Sequence, residues 1–334
     1  MSRVKDGILG LVVGDALGVP VEFNSKEKMK KNPVVGMREY GTHNQPAGTW
    51  SDDSSMTLAL MDSLCGGVNY YDMMERFCAW AWEGFYTATG KRFDIGNTTA
   101  KALLNYKERK YEPLECGGVR EGENGNGSLM RILPIVLYAA PEKVLSEEKR
   151  AAQSAEKATS LSMDEKMELI HNVSSLTHAH RRSLMGCGIY AHIVWKILDR
   201  RESGELLDTV QEGMDAAFAY YGEKKEFEGT AKIYQKMQDV RTLADRGEEE
   251  IWGAGYVVAT LEAALWSLVT TTSYQECVLK AVNLGNDTDT VAAVAGSLAG
   301  LWYGMEQIPD EWMEVTARRK WILGLCEKFE NSLA

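Results

Sequence analysis

Basic charge is in short supply: 37 lysines and arginines face 48 aspartates and glutamates, leaving a formal net charge of −11 over 334 residues. So acidic a chain offers no footprint for a phosphate backbone, which excludes long nucleic acid as a partner. The deficit leaves room for a small anionic ligand, because divalent metals or helix N-termini neutralise phosphate locally. Cysteine is sparse and scattered. The six (Cys65, Cys78, Cys116, Cys187, Cys277 and Cys326) contain no C-x-x-C pair, which argues against a secreted disulfide framework and predicts reduced, mostly buried thiols. No apolar run is long. VAAVAGSLAGLWYG, residues 291–304, falls short of the roughly 20 residues that a membrane span needs. The opening MSRVKDGILGLVVGDALG carries Asp15 and regularly spaced glycines, unlike a signal peptide. These absences predict a cytoplasmic protein with no membrane partner. Nucleophile elbow, Walker loop and Rossmann fingerprint are missing too. His43, His171 and His192 lack ligand-like spacing, which argues against a zinc pair.

What is present is helical periodicity. Apolar residues recur three and four apart in YDMMERFCAWAWEGFY (70–86), MDEKMELIHNVSSL (163–176) and SLMGCGIYAHIVWKIL (183–198). Two-residue alternation is nearly absent, with only VVGMREY (34–40) reading as extended. The fold is therefore expected to be all-α. Breaks at 24–48, 116–127 and 221–229 include no Pro/Ser-rich linker, so residues 1–334 read as a single domain. ILGLVVGDALG and VAAVAGSLAG, near the two ends, are rich in small residues. Small side chains permit short interaxial distances, which predicts two central helices in close contact.

Two acidic segments precede apolar helices: GTWSDDSSMTLAL (48–60) and NLGNDTDTVAAVAG (283–296). One account makes Ser51, Asp52, Asp287 and Thr288 simple helix caps. A second makes them ligands, because each segment adds a further carboxylate (Asp53, Asp289) flanked by hydroxyls. Carboxylates with hydroxyl oxygens suit hard cations such as Mg²⁺ or Mn²⁺. Four acids gathered without a cation would repel one another, and only the fold decides whether they gather.

GLVVGDALGVPVEF, GTWSDDSSMTLAL, FDIGNTT, NGNGSLMRILPI, SLTHAH and GNDTDTVAAVAGSLAG resemble, in order, the motifs of the ADP-ribosylglycohydrolase family, which includes the dinitrogenase-reductase-activating glycohydrolases. The resemblance spans about residues 5 to 305. It implies an all-α orthogonal bundle with two divalent cations, Mg²⁺ or Mn²⁺, hydrolysing the bond between the anomeric ribose carbon of ADP-ribose and a protein side chain or small molecule. By this resemblance the metal ligands are Ser51, Asp52, Asp53, Asp287, Asp289 and Thr290. Serine at 51 replaces the more usual threonine, keeping the hydroxyl and losing the methyl that restricts its rotamer. Glu22 matches a mobile acidic residue, and Glu22 or Asp53 is the candidate general base. Pro20 disfavours helix at Val19 and so starts a loop there, which would leave Glu22 free to move. The alternative for Glu22 is a solvated loop carboxylate.

Asp94 matches a further acidic position and would orient a ribose hydroxyl or a water; equally, it would cap the helix beginning near Asn97. GENGNGSLMR (122–131) offers closely spaced glycines and amides suited to a pyrophosphate. The resemblance places Gly125, Asn126, Gly127 and Ser128 against ADP-ribose and His178 near it, with His180 structural or on the surface. Trp50, Trp80, Trp82 and Tyr190 are the aromatics considered for stacking on adenine, although their helical spacing reads mostly as core. Two other functions stand beside the hydrolase: a non-catalytic ADP-ribose-binding or structural relative, and a two-metal phosphohydrolase that would release AMP in place of intact ADP-ribose.

Overall fold

Residues 2–145, 161–199 and 205–334 are described by a computed structural model; among them the regular elements are helices, with three isolated β-bridges and no strand. The all-α expectation holds. The longer helices are α1 (Arg3–Gly18), α2 (Asp52–Leu64), α3 (Tyr70–Glu83), α4 (Asn97–Lys107), α5 (Met163–Ser175), α6 (Arg181–Asp199), α7 (Leu206–Gly222), α8 (Val257–Val269), α9 (Tyr274–Val282), α10 (Thr288–Tyr303) and α11 (Arg319–Leu333).

Local signals account for several boundaries. Asn69 starts α3 by accepting the N–H groups of Tyr71 and Asp72, and Gly84, at φ 77°, stops it in a left-handed conformation that costs glycine nothing. Ser162 and Glu165 form a capping box at the start of α5. Residues 34–40 pair with no strand, and only Tyr40 forms a bridge, to Gln45. The 24–48 break hides a short helix, Lys26–Lys31, capped by Ser25 and too brief to display a period.

At the centre, α1 and α10 run antiparallel with their backbones in contact. A Cβ added to Gly10 would lie 2.2 Å from the Gly296 carbonyl oxygen, one on Gly14 2.1 Å from that of Ala292, and one on Gly18 2.3 Å from the backbone of Asp289. Only glycine allows this approach. The register delivers the C-terminal end of α1 to the N-terminal end of α10, and the Thr288 hydroxyl locks it by donating 2.8 Å to the Gly18 carbonyl. Both helices are buried almost all round, as small-residue composition at the chain's ends predicts. Four cysteines are buried and Cys65 and Cys78 half-buried, all as free thiols. No helix of the described residues is long and apolar enough to cross a membrane.

Candidate active site

The α1–α10 contact places Asp15, one turn before the end of α1, against the start of α2. Its carboxylate accepts the Ser51 N–H at 2.9 Å, the Ser54 N–H at 3.0 Å and the Ser54 hydroxyl at 2.6 Å. Asp15 thereby caps α2 from another helix, offsetting the positive end of its dipole. Ser51 is the N-cap proper; its hydroxyl accepts the Asp53 N–H at 3.3 Å and donates to Asp53 Oδ2 at 3.0 Å. Thr290, from α10, donates to the same Oδ2 at 3.3 Å. The two acidic segments therefore meet. Capping and convergence are both true of Ser51, whereas Asp287 occupies the N-cap position of α10 without a side-chain cap bond.

Two carboxylate triads result, each with its oxygens within 4.8 Å of one another: Asp15, Asp53 and Asp289, and Glu22, Asp287 and Asp289. Asp289 belongs to both. Two unit charges at that separation repel by about 3–4 kcal/mol at an effective dielectric of about 20, so three pairs per triad rival the roughly 5–15 kcal/mol that keeps a protein folded. Burial acts in the same direction. It is the chief reason that Asp52, Asp53 and Asp289 are pushed well above the usual carboxylate range, that Asp287 is raised, and that Asp15 and Glu22 rise to about 6 and about 7. Mutual repulsion adds to the shift. Among the described residues no Lys or Arg pairs with these acids; their ion-pair partner is His43, hydrogen-bonded to Glu22. Asp53 Oδ1 is buried with no hydrogen-bond partner at all. An orphaned, desolvated carboxylate oxygen on a side chain whose other oxygen gathers two hydroxyls suits a hard cation, so the residues present fit the group that the resemblance implies.

Glu22 is neither solvated nor on an open loop. Val19 keeps helical angles (φ −45°, ψ −46°) and Val19–Val21 continue as one 3₁₀ turn with Pro20 near its start. The mild bias against helix before proline yields here to burial of Val19 and Val21. Glu22 itself is 5% exposed. Phe23 follows at φ 63°, a strained angle for a bulky residue, held by its N–H donating 2.6 Å to the Asn286 carbonyl.

Above the triads opens a cleft of about 630 Å³ lined by Glu22, Asp52, Asp94, Asp287 and Thr290 on one wall and by Asn124 to Gly127, His178 and Tyr256 on the other. Asp94 does not cap α4, whose N-cap Gly96 makes no side-chain bond; its carboxylate belongs to the cleft. Asn126 ties the walls together, donating 2.8 Å to Asp287 and 2.9 Å to Thr260. Gly127 is required by space: a Cβ there would stand 2.8 Å from the His178 ring and 3.0 Å from the Thr99 hydroxyl. His178 is buried and bonded to the Thr177 hydroxyl at 2.8 Å, and burial lowers its pKa to about 3, so its ring is neutral. The Ser128 side chain is fully buried beneath the turn, accepting from the Ser174 hydroxyl at 2.9 Å and lying 3.6 Å from the Cys187 sulfur, so its hydroxyl does not line the cleft.

The tryptophans and Tyr190 are also placed elsewhere. Trp50, Trp80 and Tyr190 are core, and Trp82 lies under the Lys107 ammonium on a separate groove. The aromatic rings of the cleft are Phe23 and Tyr256, with the His43 ring tilted at 60° against Phe23, centroids 5.9 Å apart. Asp15, His43 and Tyr256 were not singled out from the sequence. For Asp15 a signal existed, an acid among the apolar residues and spaced glycines of ILGLVVGDALG; His43 and Tyr256 reach the site through irregular segments that carry no period.

The whole chain, residues 1–334, matches the family described as ADP-ribosylglycohydrolase. Among curated proteins it is 29% identical to the ADP-ribosylarginine hydrolase Tri1 of Pseudomonas putida (strain GB-1), covering 98% of this chain and 78% of that one. It is 27% identical to the ADP-ribosyl-[dinitrogen reductase] glycohydrolase of Rhodospirillum rubrum, over 93% of this chain and 89% of the relative. A solved structure titled "ADP-ribosylglycohydrolase-related protein complex" superposes with a TM-score of 0.74 at 28% identity, covering 100% of this chain and 98% of that one.

Proposed function

The chain belongs to the ADP-ribosylglycohydrolase family and is an ADP-ribosyl hydrolase; we propose that it is metal-dependent and releases ADP-ribose from an arginine side chain or a small guanidine. The observation that carries the metal dependence is the pair of triads sharing Asp289, with Asp53 Oδ1 buried and unpartnered among the described residues while its Oδ2 accepts from Ser51 and Thr290. Asp15, Asp53 and Asp289 with Ser51 and Thr290 would hold one divalent cation, Mg²⁺ or Mn²⁺, and Glu22, Asp287 and Asp289 a second, with Asp52 beside them. Cations bound there supply Lewis-acid polarisation and acidify a water near the anomeric carbon.

The residues of the chain do the rest. The Gly125–Gly127 turn and neutral His178 bind the diphosphate side, and Asp94 orients a ribose hydroxyl. Glu22, on the wall of the cleft, is placed to take a proton as water adds to the anomeric carbon and to return it to the departing nitrogen. An oxocarbenium-like ribose is stabilised by the same carboxylate wall. The arginine assignment draws on the ADP-ribosylarginine hydrolase of Pseudomonas putida and on the cleft itself: among the described residues five acids line it, with Phe23 at the mouth and no lysine or arginine, a surface suited to a planar cation. Incubation with ADP-ribosylarginine and Mg²⁺ should yield intact ADP-ribose and free arginine. Release of AMP would point to the two-metal phosphohydrolase instead, and binding without turnover to a non-catalytic relative.

A further inference from the structure

A cleft that holds a diphosphate needs positive charge on its phosphate wall, yet among the described residues none that lines it is Lys or Arg. Cations at the triads would neutralise the carboxylate wall before anything else. On the glycine wall the charge comes from below. Arg131, which ends the turn, is 0% exposed, and its guanidinium donates to the Gly127 carbonyl through Nη1 and to the Val173 carbonyl through Nη2 at 3.3 Å. It lies over the Phe77 ring at 4.9 Å, and Nε has no partner. No carboxylate among the described residues pairs with it, whereas the buried Lys166 and Glu262 each have an ion-pair partner. Burial lowers its pKa only to about 10, so it stays charged at neutral pH.

A buried, unpaired charge is costly, and an apolar residue of similar size would serve packing better. What the guanidinium does instead is hold the Gly127 carbonyl inward. Because the peptide is trans, the Ser128 N–H then points the opposite way, and neither the Gly127 nor the Ser128 N–H donates to another described residue. Successive free N–H groups over a buried cation form a concavity for an anion.

Resting on the ADP-ribose reading above, we propose that Arg131 is a positioning residue for the diphosphate: it orients the Gly127–Ser128 peptide through the Gly127 carbonyl and supplies the buried counter-charge of that subsite. Calorimetric titration with ADP-ribose in Mg²⁺ and steady-state kinetics on ADP-ribosylarginine test this on Arg131→Lys, Arg131→Gln and Arg131→Met. Lysine keeps the charge and should bind within about threefold of wild type. Glutamine keeps a donor for Gly127 without charge, and with methionine should weaken Kd and raise KM by about tenfold or more while kcat stays within a few-fold. Arg131→Met should fold with an unchanged or higher Tm, since it removes an unpaired buried charge. Glutamine binding as tightly as wild type, or lysine as weakly as methionine, would reduce Arg131 to a scaffold and overturn the proposal. Wild-type protein that fails to bind ADP-ribose would overturn the reading beneath it, a different result from equal affinities across the series.

Discussion

The two triads differ in what they face. Asp15, Asp53 and Asp289 lie wholly inside the protein, where α1, α2 and α10 converge, and none of them lines the cleft; Glu22 and Asp287 of the other triad do. The inner triad is held by regular structure: a glycine-to-backbone contact on one side and a three-bond cap from Asp15 on the other. The outer one is held by irregular segments with strained angles, Phe23 at φ 63° and Asn286 at φ 61°. On the function proposed above, the inner acids would fix position and the outer acids would meet substrate, with Asp289 coupling them.

That division is broken most severely at Asp289. Asp289→Asn should reduce ADP-ribose release to background, because both triads lose a member, while raising Tm in chelator by about 1–2 °C for each kcal/mol of repulsion relieved. Activity near wild type would show that neither triad depends on it. Glu22→Gln alters the outer triad alone and should lower kcat by roughly 10²–10⁴-fold while leaving ADP-ribose affinity almost unchanged. A variant within a few-fold of wild type would move the base to Asp53.

How much of this was legible in the sequence follows the same line. The Ser-Asp-Asp-Ser and Asp-Thr-Asp-Thr segments stand out because acids and hydroxyls crowd before apolar helices, and the periodic stretches of α3, α5 and α6 appear within a few residues of their ends. The glycine spacing of α1 and α10 foretold their contact. Asp15 was passed over because its role is tertiary: only when α1 meets α2 does its carboxylate find three donors. At Ser128 the converse holds: a motif fixes neighbours along the chain but not which way a hydroxyl in a tight turn points, and this one turns inward. Pro20 alone predicts a loop before Glu22, and burial of Val19 and Val21 makes that segment a 3₁₀ turn instead.

Smaller changes sharpen the contrast. Gly18→Ala would drive a Cβ into the Asp289 backbone, and Gly10→Ala into Gly296, farther along the same interface. Both should destabilise by about 1–3 kcal/mol, but only Gly18→Ala should also weaken Mn²⁺ binding, as read by calorimetry. Equal losses would mean that the contact sets stability and not the site. Asp15→Ala should cost about 1–3 kcal/mol through its unsatisfied partners. Hydrogen exchange should then quicken at Ser51–Ser54 and stay unchanged at Thr288–Val291; equal acceleration at both helix starts would contradict separate supports.

The most direct test of paired triads is the rate of ADP-ribose release from ADP-ribosylarginine by chelator-stripped protein as Mn²⁺ is returned. The rate should begin at background and saturate once two equivalents are bound per chain. Full turnover in the stripped protein, or a rate unmoved by added Mn²⁺, would contradict it.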